Sequence, residues 1–283
     1  MTSQPAAAHA ATTEDFSRNL AAVRERIARA ARSVGRDPES VRLLPVTKTI
    51  PAERLRLAIA AGVDTLGENK VQEAHAKYEE FKQDYPHLRY SVIGPLQRNK
   101  AKFVAQFADE FHALDSLRLA ETLQNRLEAE DRSLEVFLQV NTSGEESKSG
   151  IEATEAAELL AALKPLDRLK PVGLMTMAAN TTDEASIRAS FTLLRETLAE
   201  LQAAGAPEEF TQLSMGMSGD FEIAIQEGAT VVRVGQGIFG GPPVSRVGIP
   251  GRLQALGGGL GRRWCSAPLY PFPGCFHMLP EPA

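Results

Sequence analysis

The sequence predicts an α/β protein built as a single (β/α)8 TIM barrel, with an extra N-terminal helix and a flexible C-terminal tail. Three observations carry that expectation. Short apolar runs alternate with amphipathic stretches at helical spacing between residues 41 and 234. Alternation of this kind implies a parallel sheet, because parallel neighbours need a crossover between them. Eight such runs fit within roughly 200 residues, which favours a closed barrel over an open doubly wound sheet. The rhythm then stops at Gly240, where glycine and proline crowd a stretch with no sustained period.

The elements follow in order. Residues 1–11 are small and polar, and are expected to be disordered. Thr12 and Thr13 precede acids and apolar positions at Phe16, Leu20, Val23, Ile27, Ala30 and Val34. That pattern is a capped amphipathic helix, stopped by Gly35 and Pro38. Strands are expected at 41–47, 64–66, 89–93, 111–114, 134–141, 170–175, 212–215 and 231–234. Helices are expected at 52–60, 71–81, 100–107, 117–129, 154–163, 183–203 and 221–226. The barrel domain thus covers residues 12–240. Residues 241–283 contain Gly-Pro-Pro and the run Gly257-Gly258-Gly259, and form the expected flexible tail.

Composition narrows the function. The chain has 31 basic and 36 acidic side chains, a net charge of −5. Nucleic acids and anionic membranes select a basic excess, so neither is an expected partner. No apolar run approaches the ~20 residues that span a bilayer. The first eleven residues lack the basic and apolar regions of a secretory signal. Cys265 and Cys275 cannot staple a chain of this length, so a reducing cytoplasm is the expected compartment.

A barrel places chemistry on the loops after its strands. Lys48 ends the first strand. A lysine partly desolvated in the barrel mouth forms Schiff bases with carbonyls, while one at the rim simply reaches solvent. Position alone favours the rim. Ser214 to Asp220 and the turn Gly235-Gln236-Gly237 follow strands seven and eight, where TIM barrels often hold phosphate. The Ser218 hydroxyl, and backbone freed by Gly235 and Gly237, suit such a site. Arg233 on the last strand needs an acceptor, from a ligand or a barrel carboxylate. Met175 and Met177 are expected to pack more than to touch a ligand. His9, His75, His87, His112 and His277 show no metal-ligand spacing, and no metal site is expected. No Gly-x-Gly-x-x-Gly follows the first strand, so a dinucleotide site is not expected, and Walker and nucleophile-elbow motifs are absent. The acid-rich turn Gly144-Glu145-Glu146-Ser147-Lys148 reads as a solvated loop.

These motifs together resemble the pyridoxal phosphate homeostasis protein family. The resemblance rests on Pro45-Val46-Thr47-Lys48-Thr49, Gly67-Glu68-Asn69, Ile93-Gly94-Pro95-Leu96-Gln97-Arg98-Asn99-Lys100 and Val140-Asn141-Thr142-Ser143-Gly144. It continues through Gly173-Leu174-Met175-Thr176-Met177, Leu213-Ser214-Met215-Gly216-Met217-Ser218 and Arg233-Val234-Gly235, and covers roughly residues 14–240. It implies a barrel similar to that of alanine racemase, holding pyridoxal 5′-phosphate on Lys48. By the same resemblance Ser218, Gly235 and Gln236 hold the phosphate. Arg233 faces the pyridine nitrogen, Asn69 lies near the ring, and Met175 and Ser214 complete the site. The family's hydroxyl residue after Gly235 is Gln236 here, its histidine before Ile93-Gly94 is Ser91, and the tail has no counterpart.

The implied function is a cytoplasmic binding and carrier protein, monomeric and not an enzyme, that buffers pyridoxal phosphate and has apo enzymes as partners. The alternative is an amino-acid racemase or related Schiff-base enzyme using Lys48. Two-base racemisation needs a second acid/base, which fold relatives draw from an additional β domain. The tail shows no strand-like alternation to supply one.

Overall fold

The computed structural model describes residues 10–145 and 149–240. The expectations for residues 1–9, for 146–148 of the acid-rich turn and for the tail at 241–283 lie outside the described residues.

Helix α1 (Thr13–Ser33) begins at a capping box: the Thr12 side chain accepts from the Asp15 amide, and Asp15 accepts from the Thr12 amide. Its buried stripe is Phe16, Leu20, Val23, Ile27 and Ala30, at the spacing the sequence shows. Val34 falls beyond the helix end and is exposed. Ala10 was expected to be disordered, but it is buried, and its carbonyl accepts from Arg54 at 2.9 Å. Thus the anchored chain starts before the cap.

The barrel then runs β1 (Arg42–Pro45), α2 (Ala52–Ala60), β2 (Thr65–Glu68), α3 (Val71–Phe81), β3 (Arg89–Val92) and α4 (Ala101–Phe107). It continues through β4 (Glu110–Leu114), α5 (Leu117–Ala129), β5 (Leu134–Gln139), α6 (Ala156–Ala162), β6 (Leu169–Met175) and α7 (Glu184–Ala203). It ends with β7 (Gln212–Ser214), α8 (Phe221–Gln226), β8 (Val231–Val234) and α9 (Gln236–Phe239). The sheet is parallel, in the order β1-β8-β7-β6-β5-β4-β3-β2. All eight expected strands are present. The four-residue α9 is too short to show a helical period.

The ring closes between β1 and β2, and only at its top. Val46 and Gly67 form an isolated bridge there, and the Thr47 amide donates to Gly67 at 2.9 Å. The reason lies in β1. Its Arg42 and Val46 amides turn to β8, so alternation aims residues 43, 45 and 47 at β2. Residue 45 is proline and has no amide to give.

The layer between sheet and helices is apolar, with Leu66, Phe81, Phe111, Phe191 and Phe221 fully buried. Each such side chain contributes about 1.5–3 kcal/mol by leaving water. The barrel interior differs. His112 on β4 touches Ser214 on β7, which is not its sheet neighbour, so the contact crosses the interior. A polar chain crosses that space, with Phe137 stacked on His112, where barrels usually carry branched aliphatic layers.

Candidate functional site

A cavity of about 460 Å³ opens at the C-terminal ends of the strands. Lys48 and Asn69 line it from the turns after β1 and β2, and Gly94 and Pro95 from the loop after β3. Met175 and Gln139 come from β6 and β5, Ser218 and Gly219 from the turn after β7, and Arg233, Gly235 and Gln236 from β8 and its turn. A second cavity, of about 450 Å³, lies against α6, α7 and the start of β6. Its lining is mainly leucines and alanines, with Lys164, Asp167 and Lys170 as its charged members.

Glycines let the loops meet. A Cβ on Gly94 would lie 2.2 Å from the Asn69 carbonyl, so only glycine lets the β2 and β3 loops touch there. Gly216 has φ +92, and a Cβ would come within 2.6 Å of Ala224. That glycine tucks the β7 turn onto α8 and aims Ser218 at the cavity. Among the described residues, the amides of Ser218, Gly219, Gly235 and Gln236 donate to no main-chain acceptor. Two adjacent turns thereby present unpaired donors to one space, the arrangement that binds an anion.

Beneath these turns Arg233 is buried. Its Nη1 donates to the Ser214 carbonyl and to Ser214 Oγ, both at 2.7 Å, and its Nη2 to the Thr176 carbonyl at 2.7 Å. Among the described residues no carboxylate forms an ion pair with it. Burial lowers its pKa to about 10, against the favourable charge of Asp220, so it stays a cation at neutral pH. Guanidinium only donates, so Ser214 Oγ accepts there; with the His112 ring neutral and its one proton turned to the Glu110 carboxylate, the Ser214 hydroxyl donates to His112 Nδ1, 2.9 Å away. His112 is then protonated on Nε2, which donates to Glu110 Oε2 at 3.0 Å. Ser91 donates to the same oxygen at 2.6 Å, and Arg42 pairs with Oε1 at 2.8 Å. Burial pushes the His112 pKa below its usual value and keeps the ring neutral. Burial alone would raise Glu110, but His112, Arg42 and Ser91 hold it well below the usual carboxylate range. The relay Arg233–Ser214–His112–Glu110–Arg42 fixes both hydrogen-bond direction and tautomer.

The chain matches the family described as Alanine racemase, N-terminal domain, over residues 18–243. The Pyridoxal phosphate homeostasis protein of Pseudomonas aeruginosa is 44% identical over 222 residues, covering 78% of this chain and 94% of that protein. Its namesake in Escherichia coli is 41% identical over 236 residues, covering 82% and 99%. The chain belongs to the pyridoxal phosphate homeostasis protein family. The solved structure of PipY from Synechococcus elongatus, with PLP bound, is 36% identical with a TM-score of 0.69, covering 80% of this chain and all of that one. An alanine racemase of Clostridium difficile shares the fold alone, at 16% identity and TM-score 0.63, with 58% of that longer chain covered.

In this family member the structure gathers Lys48, Asn69, Met175, Ser218, Arg233, Gly235 and Gln236 around one cavity. Ser214 does not line it. That side chain is fully buried and holds Arg233, because it ends β7 with its hydroxyl turned into the barrel. Lys48 is exposed rather than desolvated, since the chain turns outward directly after Thr47. Gly237 serves α1 instead of a ligand: a Cβ there would press Val23 at 3.1 Å. Arg233 takes its acceptors from Ser214 and Thr176, not from the carboxylate pair that was its alternative. Met175 both packs and lines the cavity. Sequence reasoning missed Gln139, Glu110 and His112. The last two stand two apart on one strand, and so share a face. Two polar groups at that spacing inside an apolar run were the available signal. Among the described residues no cluster of metal-ligating side chains occurs, and no helix is long and apolar enough to cross a membrane.

Proposed function

We propose that this chain binds pyridoxal 5′-phosphate, with Lys48 as its covalent anchor, and acts in pyridoxal phosphate homeostasis as a carrier rather than an enzyme. The observation that carries the reading is the donor set of one cavity. A primary amine, a buried guanidinium and two turns of unpaired amides share that space. They suit a small molecule bearing an aldehyde, a ring nitrogen and a phosphate. When bound, pyridoxal phosphate supplies an aldehyde that condenses with a primary amine and releases water. Lys48 offers the amine. Ser218 and the amides of Gly219, Gly235 and Gln236 receive the dianion. Arg233 has only hydrogens to give, so opposite the ring nitrogen it disfavours protonation there and weakens the ring as an electron sink.

The described lining supports carriage over racemisation. It contains Lys48 and Arg233 but no carboxylate, imidazole, phenol or thiol to act as a second acid/base. The same reading makes apo pyridoxal phosphate enzymes the partners, a monomer the working form and the cytoplasm the compartment. The test is an absorbance spectrum of protein mixed with pyridoxal phosphate, before and after borohydride, with the reduced adduct mapped by mass spectrometry. A visible band that borohydride removes, with the adduct on Lys48 and absent in Lys48→Ala, is expected. An adduct on another lysine would overturn the anchor. Steady alanine racemisation that disappears in Lys48→Ala would put the enzyme first.

A further inference from the structure

The seam between β1 and β2 is tied at the turn that carries Lys48, and a buried charge cluster lies behind the tie. Lys77 on α3 is 8% exposed. Its Nζ donates to the Thr47 carbonyl at 2.8 Å, to Glu68 Oε1 at 2.6 Å and to Glu73 Oε1 at 3.4 Å. An ammonium has three hydrogens, and all three have oxygen acceptors here. The Thr47 hydroxyl also donates to Glu68 Oε1. On the other side of Lys48, the Thr49 amide donates to Glu73 Oε1 at 2.7 Å. Thr49 has φ +63, a conformation that a threonine keeps only when its surroundings impose it. The residues before and after Lys48 are therefore both held by their backbones to one cluster. None of Glu68, Glu73 and Lys77 lines the cavity. Among the described residues the Lys48 side chain makes no hydrogen bond or ion pair of its own, so these backbone anchors set where its amine stands.

We propose that Lys77 and Glu73 are positioning residues for Lys48, holding the β1 turn where its amine meets the aldehyde of a molecule seated on the β7 and β8 turns. The inference rests on the reading of Lys48 as the anchor. Strand β1 is tied to β8 by a full ladder but to β2 only by the bridge at Val46. The cluster supplies the missing restraint on that side. A displaced turn leaves the phosphate contacts intact and spoils only the approach of amine to aldehyde.

Two ligands separate positioning from general damage. Pyridoxine 5′-phosphate carries the same phosphate and ring but an alcohol in place of the aldehyde, so it cannot condense with an amine. In Lys77→Met, affinity for pyridoxal phosphate should fall about tenfold or more, as expected for losing charge-assisted hydrogen bonds. Affinity for pyridoxine 5′-phosphate should stay within about twofold, the range of a change that does not touch the ligand. Glu73→Ala removes a half-exposed side chain and the Thr49 anchor while sparing the Lys77–Glu68 pair. It should show the same selective loss, and it decides the matter if Lys77→Met does not fold. Equal losses for both ligands, or no loss for either, in Glu73→Ala would overturn the proposal. Lys48→Ala is run beside them. If it keeps the borohydride-trapped adduct, the anchor reading fails. If it loses the adduct while Glu73→Ala retains wild-type selectivity, positioning alone fails.

Discussion

At the scale of single residues, the proposed anion-binding rim depends on few groups. Ser218 is the hydroxyl aimed at the cavity, and Gln236 follows Gly235 on an exposed turn. Ser218→Ala removes one donor to a dianion, worth about 1.5–3 kcal/mol, so pyridoxal phosphate affinity should fall by roughly tenfold or more. Affinity for unphosphorylated pyridoxal should barely change, because in the proposed site the lost donor serves the phosphate alone. Titration of both ligands checks this, and equal losses would refute a phosphate role. Gln236→Thr should tighten pyridoxal phosphate binding in the same titration, since a short hydroxyl replaces a flexible amide at the first residue of α9. Lys48 and Arg233 were readable at this scale because strand ends in a barrel have only one place to go. Ser214 was misread. Which way a hydroxyl turns at a strand end depends on its partner across the barrel, and no local pattern records that partner.

At the scale of elements, the eight strands were readable because each is a short apolar run bounded by turn residues, and because β and α periods differ. The helices at 52–60, 71–81, 117–129 and 221–226 have the expected bounds. What remained hidden was pairing. The β1–β2 seam depends on which amides face which neighbour, and only Pro45 hinted at it. The interior relay was hidden for the same reason, being built from single polar side chains on β8, β7 and β1 and a pair on β4. β4 supplies two of its members, with the His112 ring stacked on Phe137 at 4.1 Å between centroids. His112→Phe keeps that stacking but leaves Ser214 without its acceptor and Glu110 with one donor fewer. A loss of about 1–3 kcal/mol in unfolding free energy is expected, measured by urea titration. Arg233 should also lose its fixed position, so the spectrum of the protein with pyridoxal phosphate should broaden or weaken. A variant as stable as wild type would show that the relay is incidental to the fold.

At the scale of the whole molecule, the relay links stability to pH. Burial lowers the His112 pKa in the folded protein below the ordinary value of 6.5, while the unfolded chain titrates near that value. As pH falls through it, the unfolded state takes up a proton that the folded state refuses, so stability falls with pH. Glu110 adds a loss of the same sign at lower pH, because its folded pKa lies below the ordinary 4.5. Glu68 and Asp220 work the other way. Burial raises both in the folded state, so they bind protons there first and their contribution grows as pH falls. The groups facing His112 are Glu110 on its own strand, Ser214 on β7, Phe137 on β5, and the charges of Arg233 and Arg42. Since carboxylates of opposite sign overlap this window, the His112 share is isolated by comparison with His112→Phe, which cannot titrate there. Wild-type unfolding free energy should fall more than that of the variant between about pH 7.5 and 5.5, by at most about 1.4 kcal/mol, the linkage of one proton over one pH unit. Parallel urea titrations at the two pH values measure it. If wild type instead loses less stability than the variant, His112 is charged in the folded state and the hydrogen-bond directions deduced from Arg233 to Glu110 are wrong; equal losses would mean that burial does not shift its pKa.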